Sequence, residues 1–549
     1  MRRYFSAGIC FLICHFIVSA QDDRNFEISK NLDIFNSLYK ELDMFYVDTL
    51  NTEKVIRSGI DAMLSGLDPY TDYISEKESD DFKFLTTGEY AGIGSTIMLG
   101  KDSRVVISDP YEGMPAQKGG LKAGDIILEI DGENMVGKSS SEVSAKLKGQ
   151  AGTIVKIKLE RPGEKKPFIK EIKRENIQIN SVTYSGMVND KTGYIYLSGF
   201  TDKSGGELRY AILDLINNRK AEKLILDLRN NLGGILESAV QTVNFFVPKG
   251  KDVMSTKGKI KQWNRNYKTT IEPIAPNIPL VVLVNNSSAS ASEIVSGALQ
   301  DLDRAVIVGN RTFGKGLVQT TREIGYNGTL KVTIAKYYIP SGRCIQAIDY
   351  AHRDENGSAD YIPDSLTTEF STAGGRKVRD GRGITPDFTV EGEKSGNIAY
   401  YLVAENIIFD YATQYAIKHP FIAPVENFSL SDADYNDFKQ YVKSKDFTYD
   451  RQTAKYLKNL KEIAEFEGYL DSASSEFAAL ENKLAPDLDR DLDKFKSQIV
   501  RMLSAEIVKR YYYQKGEIIE NLKDDEDLKK AIEILNDPEL YKKTLNVPS

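Results

Sequence analysis

Histidine is scarce in this chain of 549 residues, which contains three histidines and three cysteines. His15 lies in the apolar start of the chain, and His352 and His419 lie in polar stretches. A hydrolytic mechanism that depends on a histidine base therefore has few candidates. Histidine, cysteine and aspartate also form no cluster with the spacing of metal ligands, so the sequence predicts no metal site and no cofactor.

An excess of positive charge is missing as well. The chain has 72 basic and 79 acidic residues, a formal net charge of −7 at pH 7, and no concentrated basic face. This balance argues against nucleic acid as a main partner. Hydrophobic residues make up 41% and charged residues 28%, as in ordinary soluble proteins, and the length exceeds what one hydrophobic core supports. We therefore expect several domains.

Long apolar runs are absent after residues 1–20, so no later segment is predicted to cross a bilayer. Those first residues begin with Arg2 and Arg3, continue as a mostly apolar run and end in the small residues Ser19 and Ala20. That order is typical of a secretory signal peptide, and the run is short for an uncleaved membrane anchor, which needs about 20 apolar residues. We expect the segment to be cleaved and the protein to be exported without a stable membrane span.

Cleavage of that segment changes the cysteine content. It removes Cys10 and Cys14, neither of which follows the small-residue motif of lipoproteins, so a lipoprotein is disfavoured. Cys344 then remains as a lone thiol that cannot form an internal disulfide. We therefore expect the exported protein to be stabilised by its hydrophobic cores.

Both ends of the chain are predicted to be helical. Residues 21–85 and residues 398–549 carry apolar side chains at helical spacing, the second region together with many charges. Apolar stripes run from Leu38 to Phe45 and from Leu492 to Ile507. We interpret these stripes as helix-packing or dimer surfaces, and we expect a homodimer built from the terminal helical regions.

Residues 86–165 have the pattern of a small β domain. Short β-branched runs are cut by glycines, and Pro115 to Gly132 gives a short helix, a glycine turn, Gly-Asp and an apolar strand. This pattern resembles a PDZ domain, and the alternative is an unspecialised small β-barrel. The resemblance implies a loop that binds the C-terminal carboxylate of a peptide, which adds as a strand beside Ser95 to Leu99. The loop residues are Tyr90, Ala91, Gly92, Ile93 and Gly94.

Residues 166–397 alternate apolar strands with amphipathic helices. Leu224 to Leu228 and Leu280 to Val284 are continuous apolar runs, and a helix is predicted from Ser292 to Leu302. Continuous apolar strands between helices predict an α/β core whose sheet is buried on both faces.

Three segments of this core carry candidate chemistry. Leu226 to Gly234 runs from a strand into a glycine pair, Asn285 to Ile294 is a second strand-to-helix turn, and Arg311 to Gln319 contains a lysine between glycines. A serine at a strand-to-helix turn lies beside backbone N–H groups that suit a tetrahedral oxyanion. Lys315 is the best candidate base, because burial among apolar residues would lower its pKa from about 10.4 toward neutrality.

Two other interpretations stay open from the residues alone. Ser290 and Glu293 satisfy the Ser-x-x-Glu capping box, in which the serine only caps a helix. Gly309 to Gly316 nearly spells a P-loop for nucleotide phosphates. Gly316 stands where a hydroxyl must hold magnesium, however, and the residues after it favour β structure, which argues against nucleotide binding.

Ser-Ala-Ser-Ala-Ser-Glu-Ile at 288–294 and Phe-Gly-Lys-Gly-Leu-Val-Gln at 313–319 resemble the signature segments of the carboxyl-terminal processing proteases, also called tail-specific proteases. Runs at 226–234, 337–346 and 383–387 match in the same order, and such an ordered set is more specific than any single motif. The resemblance implies a multidomain α/β protein in the bacterial periplasm or cell envelope, with a PDZ-like domain inserted in a crotonase/ClpP-like protease core. It also implies protein or peptide substrates with free C-termini.

Site residues follow from this resemblance position by position. It implies Ser290 as the nucleophile, Lys315 as the general base and Gln319 as the residue that orients the lysine. A PDZ scaffold with an inactive core is the remaining alternative, and the presence of all three side chains argues against it.

The resemblance further implies an oxyanion hole made by the amide of Ala291 and one amide of the pair Gly233 and Gly234, between which the sequence does not choose. Leu232 stands where the family often has proline, which affects the stiffness of the turn more than its chemistry. The helical C-terminal extension falls outside the strong match, so its role is open.

Overall fold

The computed structural model describes residues 2–355, 357–392, 396–449, 452–484 and 487–546, without the side chains of residues 2–23 and 80. The chain divides into two compact units, one running to Tyr73 and including Leu330–Val332, the other holding the remaining residues. The signal-peptide prediction falls on residues 1–20, whose side chains lie outside this description. Among the described residues, no helix combines the length and the apolar character needed to cross a membrane.

The first unit contains two helices, α1 (Arg2–Phe45) and α2 (Thr52–Ser65). The helical prediction for this region is therefore confirmed. The apolar stripe of α1 is exposed, with Leu38 54% and Phe45 72% accessible. The side chain of Asn51 caps α2 by accepting from the amide of Lys54 at 2.9 Å.

A small β domain follows, and its strands are antiparallel. Between residues 72 and 173 the elements are β1 (Asp72–Ile74), α3 (Ser79–Thr87), β2 (Glu89–Gly92), β3 (Ser95–Leu99), β4 (Val105–Pro110), α4 (Pro115–Lys118), β5 (Ile126–Ile130), β6 (Glu133–Asn134), α5 (Ser140–Leu147), β7 (Ile154–Glu160) and β8 (Phe168–Lys173). Strands β3, β4, β5, β7 and β8 pair in that order, and β6 lies beside β5. The predicted strand at Ser95–Leu99 is confirmed, and β8 continues the sheet beyond residue 165.

The α/β core lies between residues 175 and 389. Its elements are β9 (Glu175–Gln178), β10 (Val182–Met187), β11 (Thr192–Leu197), α6 (Ser204–Leu213), β12 (Lys223–Asp227), α7 (Leu236–Asn244), β13 (Asp252–Gly258), β14 (Asn266–Lys268), β15 (Leu280–Val284), α8 (Ala291–Asp301), β16 (Val306–Gly309), β17 (Leu317–Glu323), β18 (Thr329–Tyr338), β19 (Ile348–Arg353), β20 (Ala359–Tyr361), β21 (Glu369–Ser371), β22 (Lys377–Arg379) and β23 (Phe388–Thr389).

The main sheet has the strand order β10-β11-β12-β15-β16-β23. All neighbours are parallel except β10, which is antiparallel to β11. The carboxyl ends of β12, β15 and β16 therefore share one edge of the sheet. The three segments that carry candidate chemistry follow these strand ends, which brings them together.

Nine helices occupy the described residues after 396. They are α9 (Asn397–Ala404), α10 (Ile407–Lys418), α11 (Asp432–Lys443), α12 (Gln452–Phe466), α13 (Ser474–Leu484), α14 (Leu488–Lys494), α15 (Lys496–Leu522), α16 (Glu526–Asn536) and α17 (Pro538–Leu545). The stripe from Leu492 to Ile507 is buried inside this helical region, against residues of α9, α10 and α11. The expectation that this stripe forms a dimer surface is therefore wrong, because the same chain already covers it.

Helices from two distant parts of the chain cover the main sheet. On one face, strand residues such as Leu226 and Val282 pack with α6, α7 and α8. On the other face, Ile225 and Val281 pack with α16 and α17, whose residues include the buried Ile534. The sheet is therefore buried on both faces, as its continuous apolar strands predict. The crotonase/ClpP-like architecture of the core stays a prediction.

Candidate active site

Ser290 lies in the turn between β15 and α8, immediately before the first residue of the helix. Its φ of 56° places a non-glycine residue in the left-handed region, where the backbone is strained unless the surroundings hold it. Asn231 supplies part of that hold, because its carbonyl oxygen accepts from the Ala289 amide at 3.0 Å and from Ser292 Oγ at 2.8 Å. The turn thus presents Ser290 at the head of α8, beside N–H groups of the first helical turn.

Glu293 connects the backbone of Ser290 to that of Lys315. Its side chain is fully buried, and one carboxylate oxygen, Oε2, accepts from the Ser290 amide at 2.9 Å and from the Lys315 amide at 2.8 Å. The other oxygen, Oε1, accepts from Thr312 Oγ1 at 2.6 Å and from the Gly314 amide at 2.7 Å. Four donors therefore converge on one carboxylate and fix the lysine segment against the serine turn.

Burial dominates the acidity of this carboxyl group. Desolvation raises the pKa of Glu293 to about 7, and the four hydrogen bonds, led by that from Thr312, oppose the shift. Of the two hydrogen bonds of the predicted capping box, the one to the acidic residue is present, since Glu293 accepts from the Ser290 amide. The same carboxylate does more than cap a helix, because it also holds Lys315.

Tyr337 joins the same two residues through their carbonyl groups. Its hydroxyl donates to the Lys315 carbonyl oxygen at 2.7 Å and lies 3.1 Å from the carbonyl oxygen of Ser290. The ring is buried, with 1% of its surface exposed, and lies on β18, which pairs with β13. Ser290 and Lys315 are thus tied together twice, through their amides by Glu293 and through their carbonyls by Tyr337.

Glycine is required beside the serine. A Cβ atom on Gly233 would lie 2.8 Å from Ser290 Cβ and 3.0 Å from the Ala291 nitrogen, so a larger residue would collide with the turn. The Gly233 amide already donates to Asn231 Oδ1 at 2.9 Å. The hydrogen bonds of the described residues include none donated by the Gly234 amide, which leaves this N–H available to a ligand.

Gln319 lies on β17, the strand that follows Lys315. Its Nε2 donates to Oγ1 of Thr333 at 3.2 Å, and Thr333 belongs to the neighbouring strand β18. The side-chain amide is therefore held in place, with its oxygen still able to accept. Since Gly316 is followed by this strand and not by a helix, the segment lacks the helix that a P-loop needs.

A groove of about 390 Å³ in the β domain contains part of the predicted carboxylate-binding loop. Tyr90 and Ile93 line it, and Tyr90, Ala91 and Gly92 pair with β9 as part of β2. The carbonyl of Gly94 accepts from the Tyr111 amide at 3.0 Å. Burial raises the pKa of Tyr90, and N–H groups of Ser95 and Gly94 near its hydroxyl oppose this shift.

The rest of the groove is mostly apolar or hydroxylic. Its wall includes Ile97 from β3, with Ser140, Ser144 and Leu147 from α5. Sequence analysis did not single out Phe84, whose ring meets that of Tyr90 edge-on at 5.4 Å between centroids. Phe84 lies on α3, before the segment 86–165 in which the β domain was predicted, so no pattern within that segment indicated it.

Metal ligands are not grouped in the described part of the chain, where no three histidine, cysteine or acidic side chains come together in a way that could hold an ion. Asp227, which mimics the metal-binding aspartate of a nucleotide site, instead accepts from the Tyr194 hydroxyl at 2.7 Å and pairs with Arg229.

Three family models match the chain. Residues 106–161 match the model described as "PDZ domain", residues 191–352 match "Peptidase family S41", and residues 398–535 match "Probable PDZ-protease, C-terminal helical domain". With the fold and the serine turn described above, these matches define the class: a serine-type peptidase of family S41 with a PDZ domain and a C-terminal helical domain.

Known relatives narrow this class. The chain is 36% identical over 351 residues to the carboxy-terminal-processing protease of Bartonella bacilliformis. The aligned residues cover 63% of this chain and 80% of that protein. It is also 36% identical over 317 residues to the "Probable CtpA-like serine protease" of Staphylococcus aureus, and this alignment covers 57% of this chain and 62% of that protein. The chain belongs to the carboxy-terminal-processing proteases, which confirms the family predicted from the sequence. The solved photosystem II D1 C-terminal processing protease is 28% identical, with a TM-score of 0.36, over 65% of this chain and 86% of that one.

Proposed function

We propose that the protein is an endopeptidase in which Ser290 is the nucleophile and Lys315 the general base. The observation that carries this proposal is the double connection between these residues, through Glu293 to their amides and through Tyr337 to their carbonyls. This double connection fixes the backbones of the two residues next to each other, which supports the proposal because nucleophilic catalysis needs a base near the hydroxyl.

In the proposed reaction, neutral Lys315 takes the proton of the Ser290 hydroxyl as Oγ attacks the carbonyl carbon of the peptide bond. The bond to the amine then breaks, the lysine returns the proton to the leaving nitrogen, and an acyl-enzyme remains. Water attacks this ester with the same lysine as base, which releases the new C-terminus and restores the serine. Gln319, held by Thr333, is proposed to orient Lys315.

The oxyanion hole is proposed to consist of the amides of Ala291 and Gly234. Ala291 is the first residue of α8, and its N–H belongs to the unpaired first turn. Of the two glycines, Gly234 is favoured because the Gly233 amide is already bonded to Asn231. Two N–H donors at this position stabilise the negative oxygen of the tetrahedral intermediate.

Substrates are proposed to be proteins and peptides with a free, apolar C-terminus. The terminal carboxylate would accept from backbone N–H groups of the loop Tyr90 to Gly94, and the terminal side chain would pack against Ile97 and Leu147. No cofactor takes part. Export to the bacterial periplasm or cell envelope is proposed on the basis of the signal-peptide pattern of residues 1–20.

The proposed assembly is a homodimer through α1. Two apolar stripes were predicted as dimer surfaces, and the stripe from Leu38 to Phe45 is the one that is exposed. Light scattering should give twice the monomer mass, and a Leu38→Glu variant should give the monomer mass. A wild-type monomer at working concentration contradicts the proposal.

The test of the activity uses one peptide in two forms, with a free and with an amidated C-terminus. Wild-type protein should cleave the free-acid form faster, and the Ser290→Ala variant should cleave neither. Cleavage by the Ser290→Ala variant contradicts the catalytic proposal, whereas equal cleavage of both forms contradicts only the recognition of the C-terminus.

A further inference from the structure

Arg229 begins the turn that contains the oxyanion glycines, and carboxylates from two distant parts of the chain hold it. Its Nε donates to Asp227 Oδ2 at 2.9 Å. Its Nη1 donates to Asp525 and to Asp527, both at 2.9 Å, and Nη2 donates to Asp525 at 2.5 Å. None of the four side chains is more than 15% exposed, so these ion pairs are largely shielded from water.

The turn needs such support because one of its non-glycine residues has an unfavourable backbone conformation. Asn230 has a φ of 60°, in the left-handed region, whereas glycine adopts the positive φ of Gly233 and Gly234 without strain. The conformation of Asn230 persists because the surroundings hold it. On the side of the serine turn, that support comes from core residues, since Ser288 Oγ donates to the Leu228 carbonyl at 2.8 Å.

The other support comes from the C-terminal helical region. Asp525 precedes α16 and caps it by accepting from the Leu528 amide at 3.0 Å, so its carboxylate is fixed by the helix start. Asp525 receives both terminal nitrogens of Arg229, a two-point contact that fixes orientation as well as distance. The position of the turn is thus coupled to a helix outside the matched S41 segment, residues 191–352.

We infer that Asp525 and Asp527 are positioning residues for catalysis. Through Arg229 they hold the turn from Arg229 to Gly234 in the position in which its glycine pair lies beside the Ser290 turn, where Gly233 is in contact with Ser290 and Ala291. The C-terminal helical region is then part of the catalytic machinery. This inference rests on the proposed serine mechanism and adds a role for residues that touch neither substrate nor nucleophile.

The experiment uses the full chain with the double change Asp525→Asn and Asp527→Asn. Asparagine removes the charges and still caps a helix, so α16 should keep its N-terminus. We expect kcat to fall at least about tenfold, which is less than the loss of about 100-fold or more that follows removal of an oxyanion donor itself. KM should change by less than about twofold, because substrate binding is not affected. The matched control is Asp524→Asn on the same segment. The Asp524 side chain is 66% exposed, so this substitution should leave kcat unchanged.

A second measurement separates positioning from stability. The rate at which a fluorophosphonate labels Ser290 depends on the oxyanion hole, so it should fall in parallel with kcat, and Asp525→Glu with Asp527→Glu should recover part of it. Arg229→Lys, which keeps the charge and loses the two-point contact, should show the same loss. A normal kcat and labelling rate in a folded double variant overturns the inference, as does a loss confined to KM. If Ser290→Ala remains active, the proposed mechanism fails instead.

Discussion

The backbone amide of Lys315 donates to the carboxylate of Glu293 at 2.8 Å, and the same oxygen accepts from the amide of Ser290. The distance between the two proposed catalytic residues is therefore set by a third side chain that performs no chemistry. Its four bonds exhaust the acceptor capacity of a carboxylate, and this arrangement predicts how sensitive the site is to that one residue.

Glu293→Gln should reduce kcat strongly in a protein that still folds. The amide group offers one acceptor oxygen and turns an NH₂ toward N–H donors, so some of the four donors lose their partner at a cost of about 1–3 kcal/mol each. Turnover and thermal unfolding should be measured together. Glu237→Gln is the control, because Glu237 lies in the first turn of α7 and is exposed; equal turnover in the two variants would contradict this role for Glu293.

Activity should rise with pH through about 7. Glu293, whose pKa burial raises to about 7, must be ionised to accept its four donors, and Lys315 must be neutral to act as a base. The rise should persist in the His352→Ala and His419→Ala variants, since neither histidine takes part. A pH profile flattened by either change would assign the transition to histidine.

Stability should respond to pH in the opposite direction. The folded-state pKa of Glu293 lies above the ordinary value of 4.5, so its stabilising contribution is complete below 4.5 and is lost as pH rises to about 7. The difference in Tm between wild type and Glu293→Gln should therefore change between pH 4.5 and 7 and be constant above that range. A constant difference throughout would show that the carboxyl group titrates normally.

Ser290→Ala and Lys315→Ala should each abolish turnover, and the double variant should be no worse than either. The two side chains act as one unit, so their effects do not add. Lys315→Arg should fail as well, because guanidinium stays protonated, whereas Gln319→Ala should reduce activity without abolishing it. Circular dichroism must show each variant folded. Near-normal turnover of a folded Lys315→Ala enzyme would refute the Ser/Lys mechanism.

Binding of a peptide to the Ser290→Ala protein should weaken when the C-terminus is amidated. Amidation removes the negative charge that backbone N–H groups of the loop Tyr90 to Gly94 are proposed to hold. Leu147→Ser should weaken binding of both forms, since it removes apolar wall from the groove. Titration by fluorescence anisotropy measures both effects, and equal affinities for acid and amide exclude recognition of the carboxylate.

Local patterns predicted the elements of the fold well. The bounds of β15 agree with the predicted run from Leu280 to Val284, and those of α8 agree with the predicted helix to within one residue, because an apolar run and a serine at the helix start mark their ends. The stripe from Leu492 to Ile507 shows the limit of such patterns. Periodicity indicates that a helix face is covered, but it does not say whether the cover is a second chain or a neighbouring helix.

The candidate site likewise has residues that local motifs predict and a long-range contact that they do not. Ser290 and Lys315 lie in segments whose motifs are visible in the sequence, and so does Glu293, although its capping-box spacing suggested only a local role. The pairing of Arg229 with Asp525 joins residues 296 positions apart. No local spacing encodes such a contact, because it arises from the way α16 lies on the finished sheet.

The helices that cover the main sheet also have a consequence for how the chain folds during its synthesis. Strands β10 to β23 are synthesised long before α16 and α17, which bury Ile225 and Val281 on one face of that sheet. Until those helices emerge, this apolar face has no partner from the core and is open to aggregation or to a chaperone. The same delay keeps Asp525 away from Arg229, so the turn that Arg229 begins lacks this ion pair until the C-terminal region has folded.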